Sequence, residues 1–182
     1  ICRLDFITGW NYTRVADQMQ INSRSTVTEI GGNIPVGTVS TTVDQFIATN
    51  NFNGGILGLE WQRDCGVWQS RVLTRVSLGS MHEDIEINGS SRIAVPNQTP
   101  VTSAGGVFTR ASNIGRQSRN EFTAISEFGY TLAYRFAPNT QLTMGYTLMY
   151  FNDILTAGSA IDPTIGTAGG NTRPQFTFQH SD

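Results

Sequence analysis

The sequence predicts an all-β fold of antiparallel strands: an up-and-down transmembrane β-barrel, incomplete in this chain, with long loops at one end and short turns at the other. Apolar residues recur with the period of two that marks one face of a strand, and helical periodicity is hard to find. Only 14% of the 182 residues are charged, against roughly 25% in a soluble domain. Tight turns alternate with long connections, as in outer-membrane barrels.

The alternation predicts five strands, over about residues 3–12, 56–61, 68–79, 122–136 and 142–151, and a weak sixth from Phe176 to Phe178. The clearest strand runs from Phe122 to Phe136, where the even positions are aromatic, apolar or small and the charges fall on odd positions. An apolar face without charge suits hydrocarbon, whereas the opposite face of a barrel strand is free to be polar. A soluble β-sandwich would show the same alternation with the apolar face in its core, so the pattern alone leaves both folds open.

The connections between the strands are unequal in length. The segments Arg63-Asp64-Cys65-Gly66 and Ala137-Pro138-Asn139-Thr140 are predicted to be tight turns. The segments 13–51, 80–120 and 152–174 are predicted to be long loops rich in Gly, Ser, Thr and Asn. Alternation inside two of them, at Val39–Ile47 and Ile85–Asn88, would extend the strands beyond the membrane.

Composition argues against several classes of function. The formal net charge is −2 and every basic residue is Arg, so neither nucleic-acid binding nor lysine-dependent chemistry is expected. No stretch approaches the ~18 consecutive apolar residues of a spanning helix. A Gly-x-Ser-x-Gly motif is absent and the two histidines are isolated, so we expect no enzyme, no catalytic residues, no cofactor and no metal.

Charged residues on the faces opposite the apolar ones are the candidate lumen lining: Glu60, Arg71, Arg75, Glu127 and Arg135. Their first interpretation, which we favour, is a salt-bridge network that fills a narrow barrel. The second is a charged lining that selects solutes in a water-filled pore.

The two cysteines, Cys2 and Cys65, fall at the short-turn end of adjacent predicted strands. A disulfide between them would be feasible in an oxidising compartment. Two unrelated thiols are an equally good interpretation.

Two long segments carry a family resemblance. GGILGLEWQRDCGVWQSRVLTRVSLGSMHEDIEINGSS (54–91) and GGVFTRASNIGRQSRNEFTAISEFGYTLAYRFAPNTQLTMGYTLMYFNDI (105–154) resemble the β-barrel protein 7 family of outer-membrane proteins, typical of planctomycetes. AIDPTI (160–165) and RPQFTF (173–178) are similar to the family's tail, so the resemblance covers about residues 52–180. It implies a location and an architecture but no reaction.

These observations predict a single β-barrel domain over residues 1–182, part of a longer chain because five or six strands cannot close a barrel that usually needs about eight. We expect a structural or passive pore role in the bacterial outer membrane. The expected partners are membrane lipid and small solutes, and oligomers are compatible with this role. The alternative is a soluble or cell-surface β-sandwich that binds a glycan or a protein.

Overall fold

A computed structural model of the protein describes residues 2–29 and 33–161. It contains six strands and a short 3-10 helix: β1 (Cys2–Thr26), β2 (Val39–Cys65), β3 (Trp68–Ala94), β4 (Val101–Ala104), β5 (Gly115–Ala137), β6 (Thr140–Phe151) and η1 (Gly158–Ala160). The strands form one antiparallel sheet in the order β1-β2-β3-β5-β6, and β4 pairs with β3. Within the described residues the sheet is open, with β1 and β6 at its edges. The same residues include no helix long and apolar enough to cross a membrane.

All five principal strands predicted from the sequence are present, but most are longer than predicted. β1 continues from Tyr12 to Thr26, and β2 begins at Val39, so much of the predicted loop 13–51 is strand. The predicted loop 80–120 likewise contains the end of β3, all of β4 and the start of β5. The alternation predicted at Val39–Ile47 and Ile85–Asn88 does lie within strands, and Phe46, Ile85 and Ile87 are buried there. The remaining extensions are mostly polar, so their alternation is weak. The weak strand at 176–178 lies outside the described residues.

The two predicted tight turns are both present. The turn between β5 and β6 occupies residues 138–139, as predicted. The turn between β2 and β3 lies at Gly66 and Val67, at the end of the predicted segment and one residue beyond it. Gly66 has φ +61°, a left-handed conformation that glycine adopts without a steric penalty.

The described chain divides into two compact units. Unit 1 comprises residues 2–14, 51–82 and 120–154, and unit 2 comprises residues 15–29, 33–50, 83–119 and 155–161. The prediction of one barrel domain over 1–182 within a longer chain stays a prediction.

Each unit has its own small buried cluster. In unit 1, Phe52, Met81 and Ile125 are buried together, with Phe151 packed against them. In unit 2, the cluster joins strands β2 and β3 to the segment after β6: Phe46, Ala48, Ile85, Ile87, Leu155, Ala157 and Ala160. Segment 155–161 therefore covers part of the sheet in unit 2.

Candidate functional site

One face of unit 1 is formed mainly by exposed apolar side chains and is called the apolar face below. It contains the even positions of β1, β3, β5 and β6 and the odd positions of β2; the rings of Trp68 and Tyr134, for example, lie 4.6 Å apart on it. Trp61, Val72 and Leu132 on this face are partly buried, and the exposure of its other large apolar side chains runs from 37% at Val76 to 77% at Phe122. The others are Leu4, Phe6, Trp10, Tyr12, Leu57, Leu59, Trp68, Leu78, Phe128, Tyr130, Tyr134, Phe136, Leu142, Met144, Tyr146, Leu148 and Tyr150. An apolar patch of this extent marks an interaction surface.

The apolar face has the height of a hydrocarbon layer. On β3 it runs without a charged residue from Trp68 to Leu78. Ten steps of about 3.3 Å make a path of about 33 Å, which at a strand tilt of about 40° gives a band about 25 Å tall. Charged residues on this face lie at the margins of the apolar band: Arg14 on β1 and Arg63 on β2. The lipid-facing band of outer-membrane barrels has the same height.

The opposite side of unit 1, called the polar face, carries ion pairs between neighbouring strands. Arg71 Nε lies 3.2 Å from Glu60 Oε1, and Arg75 Nη2 lies 2.5 Å from Glu127 Oε2. The carboxylate of Glu127 is only 10% exposed, so its attraction to Arg75 is less screened than that of a surface pair. Four of the five candidate lining residues are thereby brought together in two pairs.

The fifth candidate, Arg135, lies apart from these pairs near the β2–β3 turn. Its backbone N–H donates to Val67 O over 2.8 Å, and its cross-strand neighbour on β6 is Gln141. A register shift follows immediately, between Arg135 and Ala137. Arg135 lines a cavity of about 200 Å³ together with Asp64, Gly66, Val67, Trp68, Gln69, Ala133 and Gln141.

A second cavity on the polar face adjoins the first. Its volume is about 150 Å³, and it shares Gln69, Ala133 and Gln141 with the first cavity. Its remaining lining residues are Arg71, Thr131 and Thr143. Two amide side chains therefore lie between Arg71 and Arg135.

The two cysteines are both free and exposed in the structure. The indole N–H of Trp61 donates to Cys2 Sγ over 3.0 Å, and that of Trp10 donates to Asn53 Oδ1 over 2.6 Å. Both contacts fit one antiparallel register of β1 and β2. Trp10 lies eight residues after Cys2 on β1, and Asn53 lies eight residues before Trp61 on β2. Cys65 lies four residues beyond Trp61, about 13 Å along the strand at ~3.3 Å per residue, whereas bridged cysteines have Cα atoms about 4.4–6.8 Å apart. A disulfide would require this register to shift, and it stays a prediction that alkylation without reductant would test.

In unit 2 a buried carboxylate holds a loop. Asp44 has no exposed surface and accepts hydrogen bonds from the backbone N–H groups of Val107, Phe108 and Thr109 at 2.9, 3.2 and 2.9 Å. The Thr109 hydroxyl donates a fourth over 2.5 Å. Hydrogen bonds to a charged acceptor are roughly twice as strong as neutral ones. This carboxylate therefore fixes loop 106–109 against β2.

A buried amide holds the segment after β6 in the same unit. Asn50 Nδ2 donates to Leu155 O over 2.8 Å, and Asn50 Oδ1 accepts from the Leu155 N–H over 2.9 Å. The Ala157 N–H donates to Asp17 Oδ2 over 2.9 Å. Two strands of unit 2 thus anchor residues 155–157 through their side chains.

Two ion pairs join β3 and β5 in unit 2. Glu83 is fully buried, with Oε2 2.5 Å from Arg119 Nε. Asp84 pairs with Arg116, and the hydrogen bond, followed by the attraction of opposite charges, raises the pKa of the Arg116 guanidinium above its ordinary value. Arg116 therefore stays protonated across the physiological range of pH.

The comparison with family sequences decides the affiliation of the chain. The model of the family described as "Putative beta barrel porin-7 (BBP7)" matches residues 1–182, the whole chain. The chain belongs to the BBP7 family. The resemblance predicted from the sequence is confirmed, and it extends over the first strand as well. No curated protein and no solved structure matches the chain.

For this BBP7 chain, sequence reasoning found the ion-paired residues of the polar face but missed the polar groups around them and the pairs Glu83–Arg119 and Asp84–Arg116. Gln69 and Gln141 have the strand parity of the polar face, so alternation was a signal that could have found them. Asp44 and Asn50 carried no such signal, because their partners lie 63–65 and 105 residues away in the sequence. A single sequence does not mark such long-range contacts.

Proposed function

We propose that this BBP7 protein contributes a membrane-spanning β-barrel to the bacterial outer membrane, in a cell envelope of the planctomycete type, and forms a passive pore there rather than an enzyme. The observation that best supports this proposal is the contrast between the two faces of unit 1. One is apolar, exposed and free of charge over a band about 25 Å tall, and the other carries ion pairs. Lipid would cover the first face, and water and solutes would contact the second.

The open edges of the sheet fit this proposal. Every backbone polar group in a bilayer needs an internal partner, so β1 and β6 must be paired in the mature barrel. Further strands of a longer chain would supply that pairing. The family description, which names a porin, supports the same role.

Different residues of the polar face support each of its two interpretations. The pairs Glu60–Arg71 and Arg75–Glu127 support the salt-bridge network, because each joins side chains of adjacent strands. The cavity that Arg135 lines and the adjoining cavity that Arg71 lines support the solute-selecting lining, since they place polar groups next to open space. We propose that the pairs stiffen the wall and that the open part near Arg135 contacts solutes.

The complete gene product, purified in detergent and added to a planar lipid bilayer, tests the function. Discrete current steps would support a pore. Stable insertion without current would leave a structural barrel and refute the pore. A monodisperse, detergent-free monomer would refute the membrane location and favour the soluble sandwich, in which the apolar face packs against a second sheet.

A further inference from the structure

We propose that Arg135 is the centre of a binding site for a small oxyanion on the polar face of unit 1. The proposal rests on the proposed function, because it names a class of solute for the same surface. It begins from the charge of Arg135. Among the described residues, Arg135 takes part in no ion pair, whereas the four other candidate lining residues are paired with one another.

Backbone contacts hold Arg135 at a position that lines the first cavity. The hydrogen bond to Val67 O ties β5 to the β2–β3 turn, and Gln141 faces Arg135 across the β5–β6 pair. A register shift follows between Arg135 and Ala137, and local breaks in strand pairing are features that re-aim side chains beside functional sites. Arg135 thus lines the 200 Å³ cavity from a backbone position that contacts on both sides hold in place.

The groups beside Arg135 are suited to an anion with several acceptor oxygens. A guanidinium is permanently charged and binds two oxygens of a carboxylate or phosphate at once. Gln69 and Gln141 add amide donors between the two cavities, and Thr131 and Thr143 add hydroxyl donors in the second. A water occupies about 30 Å³ in the liquid, so each cavity has room for an ion of phosphate size.

One carboxylate limits the affinity. Asp64 also lines the first cavity and would repel an anion. The site is therefore expected to bind weakly, which suits passage, because a conducting site must both admit and release its solute. Neutralising Asp64 should tighten binding.

Inorganic phosphate is the probe for a binding titration at constant ionic strength. The complete gene product in detergent micelles is titrated, with ³¹P line broadening as the readout. R135Q should weaken phosphate binding by about tenfold or more, equivalent to about 1.4 kcal/mol. R135K, which keeps the charge but loses the two-pronged geometry, should have an intermediate effect. D64N should strengthen binding, and sulfate and acetate should compete with phosphate.

R63Q is the matched control for R135Q. Arg63 lies at the same end of the strands and has the same charge, but its position on β2 has the parity of the apolar face. Its loss should leave phosphate binding unchanged. Equal binding by R135Q and wild type, or an equal loss in R63Q, would overturn the proposal. Circular dichroism of each variant checks that it folds. If R135Q does not fold, the stronger phosphate binding expected of D64N still tests the site.

A second measurement separates this proposal from the proposed pore. Phosphate should reduce the chloride current of the wild type in a planar bilayer but not that of R135Q. Current steps together with no phosphate binding in micelles would refute the site and keep the pore. Phosphate binding that depends on Arg135, with no current steps, would support the site and refute the pore.

Discussion

Replacing Leu148 by arginine puts a charge near the middle of the proposed lipid-facing band. Leu148 is half-exposed on the apolar face of β6, opposite Phe128. It lies six residues from Leu142, about 20 Å along the strand and about 15 Å in depth at a tilt near 40°. Arginine costs about 2–4 kcal/mol at the midplane of a barrel and about 0–1 near the interface. The folding equilibrium of L148R should therefore fall by about 30- to 700-fold.

Reversible folding of the complete gene product into phospholipid vesicles, followed in urea, measures this cost. T147R is the control on the neighbouring residue: Thr147 has the parity of the polar face and lies opposite Gly129, which has no side chain to clash with. L142R should cost less than L148R, because Leu142 lies near the margin of the band. An equal cost for L148R and T147R, or for L148R and L142R, would refute the lipid-facing interpretation.

Three further substitutions test the contacts that hold the two units. R119Q should lower the free energy of unfolding by about 3–5 kcal/mol, because it leaves the carboxylate of Glu83 buried without its partner; urea titration measures this. D44A should release loop 106–109, so that hydrogen exchange speeds up at the amides of residues 107–109, whose acceptor is lost. G79A should destabilise unit 1 by about 1–3 kcal/mol, because the new Cβ would clash with the backbone of Asn53 and Gly54; thermal unfolding in detergent measures this.

Each substitution has a control and a contradicting result. R92Q removes an exposed arginine from β3 and should change stability little, so an equal loss in R92Q and R119Q would argue against a buried pair. Unchanged exchange at residues 107–109 in D44A would show that other contacts hold the loop. A Cβ added at Gly55 would meet no atom within 4 Å, and G55A should therefore be tolerated where G79A is not.

The sequence predicted the apolar face of unit 1 residue by residue, because the period of two is fixed by strand geometry. Phe122 to Phe136 and Leu142 to Tyr150 show the same parity in the structure as in the pattern. Strand ends were predicted poorly. Beyond Tyr12 the apolar residues of β1 lie on odd positions, at Val15, Met19 and Ile21, whereas those before it lie mainly on even positions, and this change of parity hides the alternation.

The candidate site was predicted only in part. Opposite charges on facing strands indicated the pairs of Glu60 and Glu127, although not which arginine each carboxylate binds. Arg135 was grouped with them because it shares their parity, and the structure alone shows that it stands apart beside a cavity. Pairing depends on position along the strand, which follows from the β2–β3 register for Glu60 and the β3–β5 register for Glu127, and a single sequence does not reveal the second.

Quenching of tryptophan fluorescence tests the central claim most directly, since all three tryptophans occupy apolar-face positions: Trp10, Trp61 and Trp68. The unmodified protein is reconstituted into vesicles whose lipids carry bromine on the acyl chains, and separately exposed to acrylamide in the water. If the apolar face contacts lipid, the brominated chains will quench the emission strongly and acrylamide will quench it weakly. Strong quenching by acrylamide with none from the brominated lipids would contradict the membrane-spanning account.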